Sequence, residues 1–191
     1  AVTSAPGGQS TDHVNIVGQR APGNYDFRLD ARVRRMSGED SYGGIEVRSY
    51  GINTAFDPSG SVLALGVRLD GDNQLRIEGF ARGYTVRQFP APVRLDALPV
   101  DLRIERRDGV LIGSYSTGGD FAEFIVATGS GIQGLHFNPD ARLHAALAQG
   151  SYGSVAEGRL ATATVYFGDP SFEIDLPPPP PPPPPPALPP G

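Results

Sequence analysis

Three residues spaced two apart, Glu46, Arg48 and Tyr50, combine the side chains that proteins use to hold a sugar. Residues two apart in an extended strand share one face, so these three would lie side by side. The charged groups would bond to pairs of hydroxyl groups, and the ring would cover the apolar side of a pyranose. Tyr115 and Tyr152 are predicted to join this site from neighbouring strands. The alternative is ordinary cross-strand pairing of Glu46 with an arginine.

The residues offer no complete set of catalytic groups. The three histidines, His13, His136 and His144, occupy no recognisable triad context. With no cysteine in the chain, disulfides, a thiolate nucleophile and zinc-thiolate sites are excluded together. We therefore expect no catalytic residue, no enzymatic activity and no required cofactor.

Charge and hydropathy restrict the partners. The net charge is −5, and the sixteen basic residues are all arginines that stand singly or in short groups along the sequence. This pattern offers no continuous basic stripe, so nucleic acid is not an expected partner. No apolar run approaches the roughly 20 residues of a transmembrane helix. The chain begins at Ala1 without methionine, which favours a mature exported product that is secreted or held at the cell surface.

Alternation with period two predicts the elements that must position these residues. In residues 25–33, apolar side chains alternate with charged ones, as in a strand with one face in a core. Asp108-Gly109 supplies a hairpin turn, and no window of a dozen residues carries a helical stripe. Strands are predicted at residues 13–17, 25–33, 44–50, 61–69, 75–80, 84–89, 100–105, 110–116, from 121, 142–148 and 161–167. Such a series predicts an all-β domain of two packed antiparallel sheets over residues 12–175, after a flexible or extended segment 1–11.

The order of several segments resembles a known family. Tyr42-Gly43-Gly44-Ile45-Glu46-Val47-Arg48 is similar to a strand of bacterial secreted domains with the concanavalin A-like lectin/glucanase, or laminin G-like, jelly roll. Residues 102–109, 115–121 and 161–169 follow in the order expected of those domains. The resemblance covers roughly residues 12–172. It implies a jelly-roll β-sandwich whose ligand lies on the solvent side of the concave sheet, where Glu46, Arg48 and Tyr50 would face outward.

The resemblance also sets expectations about activity and metal. Glucanases of this fold use a Glu-x-Asp-x-x-Glu strand; Glu173 and Asp175 supply its first half, but the second glutamate is missing. Sugar-binding members usually present tryptophan, and this chain has none, with Phe121 after the Gly-Gly turn. A structural calcium ion is common in the family, and Asp169 after the closing strand is the nominated ligand. Turn chemistry alone is the other interpretation of such acidic loops.

The segment 176–191 is a proline-rich tail. Ten consecutive prolines have no backbone donor and a fixed φ, so they are predicted to form a polyproline II rod of about 3.1 Å per residue. The rod would act as a spacer or dock in an aromatic-lined groove of another subunit. Its predicted partner-binding residues are Pro177, Pro178, Pro179, Pro180, Pro181, Pro182, Pro183, Pro184, Pro185 and Pro186.

Two functions are therefore expected to compete. The first is a non-catalytic glycan-binding or adhesion module at the cell surface, carried on the proline-rich stalk. The second is a structural subunit of a surface filament or other homo-oligomer, with the rod as connector. A glycoside hydrolase of the same fold is the least supported alternative. An exposed aromatic platform on the concave sheet would favour the first.

Overall fold

The fold is a two-sheet antiparallel β-sandwich. The computed structural model describes residues 2–3, 15–22, 26–38, 41–50, 62–70, 72–82, 85–88, 91–128, 142–151 and 164–175. These ranges contain thirteen strands and no helix, so none of them includes a helix that could span a bilayer. The strands are β1 (Val2–Thr3), β2 (Asn15–Pro22), β3 (Phe27–Ser37), β4 (Ser41–Tyr50), β5 (Val62–Leu69), β6 (Leu75–Arg82), β7 (Thr85–Gln88), β8 (Val93–Leu95), β9 (Val100–Arg107), β10 (Val110–Ser116), β11 (Ala122–Thr128), β12 (Arg142–Ser151) and β13 (Thr164–Ile174).

The strands form one sheet of seven and one of six. The seven-stranded sheet has the order β1-β13-β3-β9-β10-β11-β7, and the six-stranded sheet has the order β2-β12-β4-β5-β6-β8. Strands distant in sequence are neighbours in both sheets, as β12 and β4 show. This arrangement confirms the predicted all-β jelly-roll class.

The core fills the space between the two sheets because each strand alternates. In β9, Val100, Leu102 and Ile104 are fully buried while the residues between them reach solvent. In β4 and β5 the inward residues are equally buried. A buried aliphatic side chain of this kind contributes about 1.5–3 kcal/mol through the hydrophobic effect. The largest fully buried aliphatic side chains are Ile45, Leu63, Leu65, Ile77, Leu102, Ile104 and Ile125.

Short turns join the strands as their residues predict. Asp108 and Gly109 have φ values of 50° and 75°, the left-handed pair of a type I′ hairpin between β9 and β10. In the Ser116–Phe121 connection, the Ser116 hydroxyl accepts hydrogen bonds from the backbone N–H groups of Gly118 at 3.2 Å and Gly119 at 3.1 Å. The Tyr-Ser-x-Gly-Gly segment is therefore a self-bonded turn, which explains its residue types in terms of fold.

Two short strands were not predicted. β1 lies inside the segment expected to be flexible or extended and pairs with β13 through Val2 and Thr3. β8 has three residues and pairs with the first half of β6. Both are too short to show alternation. The tail prolines 177–186 lie outside the described residues, and their predicted rod stays a prediction.

Candidate functional site

Glu46 is not on an open surface. It lies in the middle of β4, between the fully buried Ile45 and Val47, and its own exposure is 0%. The outward register was predicted correctly, but the expectation of a solvent face was wrong, because both sides of this central strand are covered. A buried carboxylate is tolerated only when it is paired. Glu46 does interact with neighbouring groups.

The other predicted ligand residues are dispersed. The register places Arg48 opposite His144 of β12 and Val62 of β5, and it places Tyr50 opposite Arg142. The side chains of Arg48 and Tyr50 lie outside the described part of the structure, so their role in a site stays a prediction. Tyr152 lies outside the described residues.

Tyr115 belongs to the opposite sheet, which corrects the prediction that it joins this site. It is partly buried at the rim of the core, where its ring meets the Phe124 ring edge-on at 6.1 Å. It also lines a groove of about 400 Å³ with Leu98, Pro99 and Thr117. The prediction failed because β10 pairs with β9 and β11, which keeps it out of the sheet that contains β4.

An open part of the six-stranded sheet lies on β6 and its two neighbours. We call it the β6 face, and it consists of Arg68, Arg76, Glu78, Phe80 and Arg94. The inward residues of β6 contact the core, with Ile77 fully buried, so the alternate residues face outward. The register sets Arg68 opposite Arg76 and Arg76 opposite Arg94, which puts three arginines in one row.

Phe80 is the exposed aromatic of this face. It is 49% exposed, and it is the one large hydrophobic residue exposed in the part of the chain that the structure describes. Its exposure follows from the strand order. β8 pairs with β6 only from Leu75 to Ile77, so no described strand lies beside Phe80 at that edge of β6. On the other side, Phe80 is opposite Ala64, which is opposite Glu46. Alanine leaves the ring open because its side chain is a single methyl group.

The charges of the β6 face are only partly compensated. Arg68 lies 3.5 Å from the Glu78 carboxylate, and Arg76 lies 3.0 Å from that of Asp70. Arg94 is exposed and forms no ion pair with any described residue. The Arg76 side chain is 42% exposed and that of Arg68 is 30% exposed, so both reach solvent.

The whole outer face of this sheet is rich in arginine. Among the register positions that share the face with Glu46, seven of the chain's sixteen basic residues are found, against two glutamates, Glu46 and Glu78. The arginine positions are Arg20, Arg48, Arg68, Arg76, Arg82, Arg94 and Arg142. Arginines that are dispersed along the sequence thus occupy neighbouring positions in the sheet. Alternation gave each outward position, but only the strand order brings them together.

The outer face of the seven-stranded sheet has the opposite character. Arg32 forms a two-pronged contact with Asp101, at 2.6 and 2.9 Å. Arg103 donates to Asp30 at 2.7 Å, and its guanidinium carbon lies 4.0 Å from the centre of the Phe121 ring. Each of these cations is occupied by a partner within the sheet.

Glu173, considered above as half of a catalytic motif, belongs to the same set of ion pairs on the outer face of the seven-stranded sheet. It lies in β13 and bonds to Arg28 at 2.9 Å, with 64% of its side chain exposed. It therefore takes part in surface pairing at the end of a strand. Asp175 follows β13, where its backbone N–H donates to the carbonyl oxygen of Asp26 at 2.9 Å.

The described residues contain no cluster of three or more metal-ligating side chains. The acidic turn at residues 70–73 uses its carboxylate internally: Asp70 accepts hydrogen bonds from the backbone N–H groups of Gln74 at 2.9 Å and Asp72 at 3.1 Å. The hydrogen bond from Gln74, above all, lowers the pKa of Asp70. Asp169 lies in β13, where the pairing with β3 is irregular between Gly168 and Ser171. A calcium ion at Asp169 stays a prediction.

Comparison with known proteins supports the fold. No protein-family model matches the chain, and no curated protein matches it. A functionally unknown protein from Saccharomyces cerevisiae is 17% identical, with 84% of this chain and 74% of that chain covered and a TM-score of 0.50. The GH43 protein BlXynB from Bacillus licheniformis is 14% identical over 91% of this chain, with a TM-score of 0.52. The alignment spans 32% of that protein, about a third of its length.

A third solved structure, the alginate lyase from Klebsiella pneumoniae, is 11% identical, with 80% of this chain and 61% of that chain covered and a TM-score of 0.48. At these identities the likeness shows a shared β-sandwich fold. It also corrects one prediction. The expectation that the chain is not an enzyme is contradicted, because the matched third of the GH43 protein shares this fold. A missing glucanase motif therefore does not exclude catalysis.

Proposed function

We propose that the protein is a carbohydrate-active protein that binds a glycan on the β6 face of its six-stranded sheet. The observation that carries the proposal is the exposure of Phe80 on the β6 face, beside charged groups that can bond to hydroxyls. An exposed ring offers a flat apolar surface to the C–H side of a pyranose. Arg76 and Glu78, on the same strand face, supply a donor and an acceptor for the hydroxyl groups.

The arrangement supplies without tryptophan what a sugar site needs. Phe80 takes the stacking role, and it was missed because sequence reasoning looked for tryptophan and for the tyrosines of other strands. Its signal was present: in residues 75–82, the alternation of Leu75, Ile77 and Gly79 leaves Phe80 on the charged face. An aromatic residue in the polar register of an amphipathic strand presents its ring to solvent, where the ring can stack on a ligand.

The proposal is tested with Phe80→Ala and a matched control, Phe121→Ala. Phe121 lies against Arg103 on the seven-stranded sheet, so the control removes a ring from the opposite outer face. A glycan screen identifies a ligand for the intact chain, and calorimetry then compares the variants on it. Phe80→Ala is expected to weaken binding about tenfold or more, in line with about 1–3 kcal/mol for aromatic stacking in other ligands. Equal affinities of the two variants would remove the β6 face from the proposal.

Cleavage of the bound glycan is a second candidate function, and the observation that favours it is the presence of two glutamates, Glu46 and Glu78, at outward register positions of the same sheet. Carboxyl groups serve as acid and base or nucleophile in glycan hydrolysis. Arg48 lies two residues from Glu46 on β4, and His144 is opposite Arg48. Glu46→Gln keeps the shape and the hydrogen-bonding capacity but cannot give up or take a proton. It should abolish the release of oligosaccharides while binding is retained.

The finer expectations belong to the same proposal. Export to the cell exterior would bring the protein to polymeric glycans, and the tail would hold the sandwich away from an anchoring surface. The tail as a connector between subunits is the rival account. Light scattering of the full chain beside a version ending at Asp175 separates the two accounts. If the full chain is an oligomer and the truncated chain is a monomer, the tail is a connector; if both are monomers, the tail is a spacer.

A further inference from the structure

We infer that the glycan is acidic, and that the arginine row Arg68-Arg76-Arg94 recognises the carboxylate groups of its uronic acid units. This inference rests on the proposed function and adds the ligand class. The starting observation is an imbalance of charge. The chain as a whole carries −5, yet the β6 face has three arginines, Arg68, Arg76 and Arg94, against the carboxylates of Glu78 and Asp70.

Arg94 is the end of the arginine row that no described carboxylate compensates. Like charges directly opposite each other on neighbouring strands destabilise a sheet, and this row repeats that arrangement twice, from Arg68 to Arg76 and from Arg76 to Arg94. The described anions nearby, Glu78 and Asp70, contact the first two arginines. Arg94 has no ion pair with any described residue and is exposed. A bound anion would complete the row at that end.

The row gathers three arginines at one end of the β6 face, where the carboxylates of a polymer that runs along β6 would reach them. Neighbouring strands are about 4.8 Å apart, so the Cα atoms of the three arginines follow at about that interval, while the guanidinium groups of Arg68 and Arg76 lie at the carboxylates of Glu78 and Asp70. A guanidinium binds a carboxylate with two parallel hydrogen bonds. The chain itself forms this contact on its other face, where Arg32 holds Asp101 at 2.6 and 2.9 Å.

Phe80 extends the site along β6. It is four residues from Arg76, or about 13 Å along a strand. That separation exceeds the width of one pyranose ring, so the aromatic contact and the arginine row must touch different sugar units. The ligand is therefore an oligosaccharide or polysaccharide, and its stacked unit is distinct from the units whose carboxylates are bound.

A polyuronate is favoured over nucleic acid as the occupant. Duplex DNA carries one negative charge per about 1.7 Å, and a chain with a net charge of −5 repels such a dense polyanion at long range. In the described residues, the face presents one exposed large aromatic ring, whereas single-stranded nucleic acids are held by several stacked rings in succession.

The test compares Arg94→Gln with Arg107→Gln in the full-length protein. Both variants lose one positive charge, but Arg107 lies at the end of β9 and pairs with Glu105 on the seven-stranded sheet. The probes are polygalacturonate, the same polymer with its carboxyl groups reduced to alcohols, dextran sulfate and duplex DNA. Arg94→Gln is expected to weaken binding of polygalacturonate about fivefold to tenfold and to leave binding of the reduced polymer within about twofold. Arg107→Gln should change neither, and salt should weaken only the binding of charged polymers.

Three results would overturn the inference. In the first, the native and the reduced polymer bind equally well, and Phe80→Ala abolishes the binding of both. That result would support the glycan site but show that the arginines do not recognise carboxylates. Stronger binding of dextran sulfate or DNA than of polygalacturonate would assign the row to sulfate esters or to nucleic acid. If none of the polymers binds, the glycan screen described above separates the two claims. A neutral glycan that binds in that screen supports the proposed function and rules out the acidic ligand.

Discussion

The two outer faces of this sandwich are built from the same residue types and reach opposite results. On the seven-stranded sheet, arginine and acidic residues alternate across β13, β3 and β9, so that Arg28, Arg32 and Arg103 each contact a carboxylate at 2.6–2.9 Å. On the six-stranded sheet, arginine meets arginine across β5, β6 and β8. The first face satisfies its own charges, and the second leaves cationic capacity for something else.

The difference lies in register more than in composition. Both sheets have outward-facing arginines, and what differs is the residue that lies opposite each arginine on the neighbouring strand. Arg32 is opposite Asp101, whereas Arg76 is opposite Arg94. Cross-strand neighbours of opposite charge stabilise a sheet, and like neighbours cost a similar amount. A sheet face that accepts this cost is the better candidate for binding a charged ligand.

Replacing a single glutamate on each face gives the largest expected contrast. Glu46→Ala should lower the free energy of unfolding by about 3 kcal/mol, because it leaves the groups around a fully buried carboxylate unpaired. Glu173→Ala should cost about 0.5 kcal/mol, since that side chain is 64% exposed and its ion pair with Arg28 is screened by solvent. Urea denaturation measures both. Similar losses would show that the burial of Glu46 has no energetic weight.

Double-mutant cycles sharpen the comparison at the level of single ion pairs. The pair Arg32–Asp101 should give a coupling energy of about 0.5–1 kcal/mol, because its geometry is two-pronged although both side chains are partly exposed. The pair Arg68–Glu78, with a single contact at 3.5 Å, should give about 0.3 kcal/mol or less. The cycles use alanine at each position and thermal or urea unfolding. A larger coupling on the six-stranded side would contradict the account of the two faces.

The smallest expected effect concerns Asp70, which closes the turn before β6. Its pKa is lowered from the usual 3.8, first by the hydrogen bond from the Gln74 backbone N–H. A carboxyl group with a depressed folded-state pKa stabilises the protein fully above the unfolded pKa, and this stability is lost as the pH falls through the folded pKa. Asp70→Asn should therefore reduce the slope of the free energy of unfolding against pH below about pH 4. Near pH 7 the slope should be the same as in the unsubstituted protein. An unchanged acid slope would contradict the role of the turn.

Much of the fold could be predicted from the sequence because alternation is local. The strand at Val110–Ser116 was placed to the residue, and the Asp108-Gly109 hairpin has the backbone its residues favour. Such features depend on neighbours in the chain. The strand pairs β12–β4 and β2–β12 depend on contacts across about ninety residues or more, which no local pattern contains.

The candidate site was predictable only in part, for the same reason. The outward register of Glu46 followed from Ile45 and Val47, but its burial depends on what covers the sheet. Tyr115 was assigned to the wrong sheet because an alternating pattern gives a face and not a partner strand. The arginine row was invisible, since Arg68, Arg76 and Arg94 become neighbours only when β5, β6 and β8 pair.

The central claim, that the six-stranded sheet binds an acidic glycan and the seven-stranded sheet does not, is tested most directly by following backbone amide chemical shifts during titration with an oligogalacturonate. The account predicts saturable shifts on β6 and β8, at Arg76, Glu78, Phe80 and Arg94, while amides of β3 and β9 stay in place. Shifts centred on Arg103 and Phe121, or no saturable shift on β6, would contradict it.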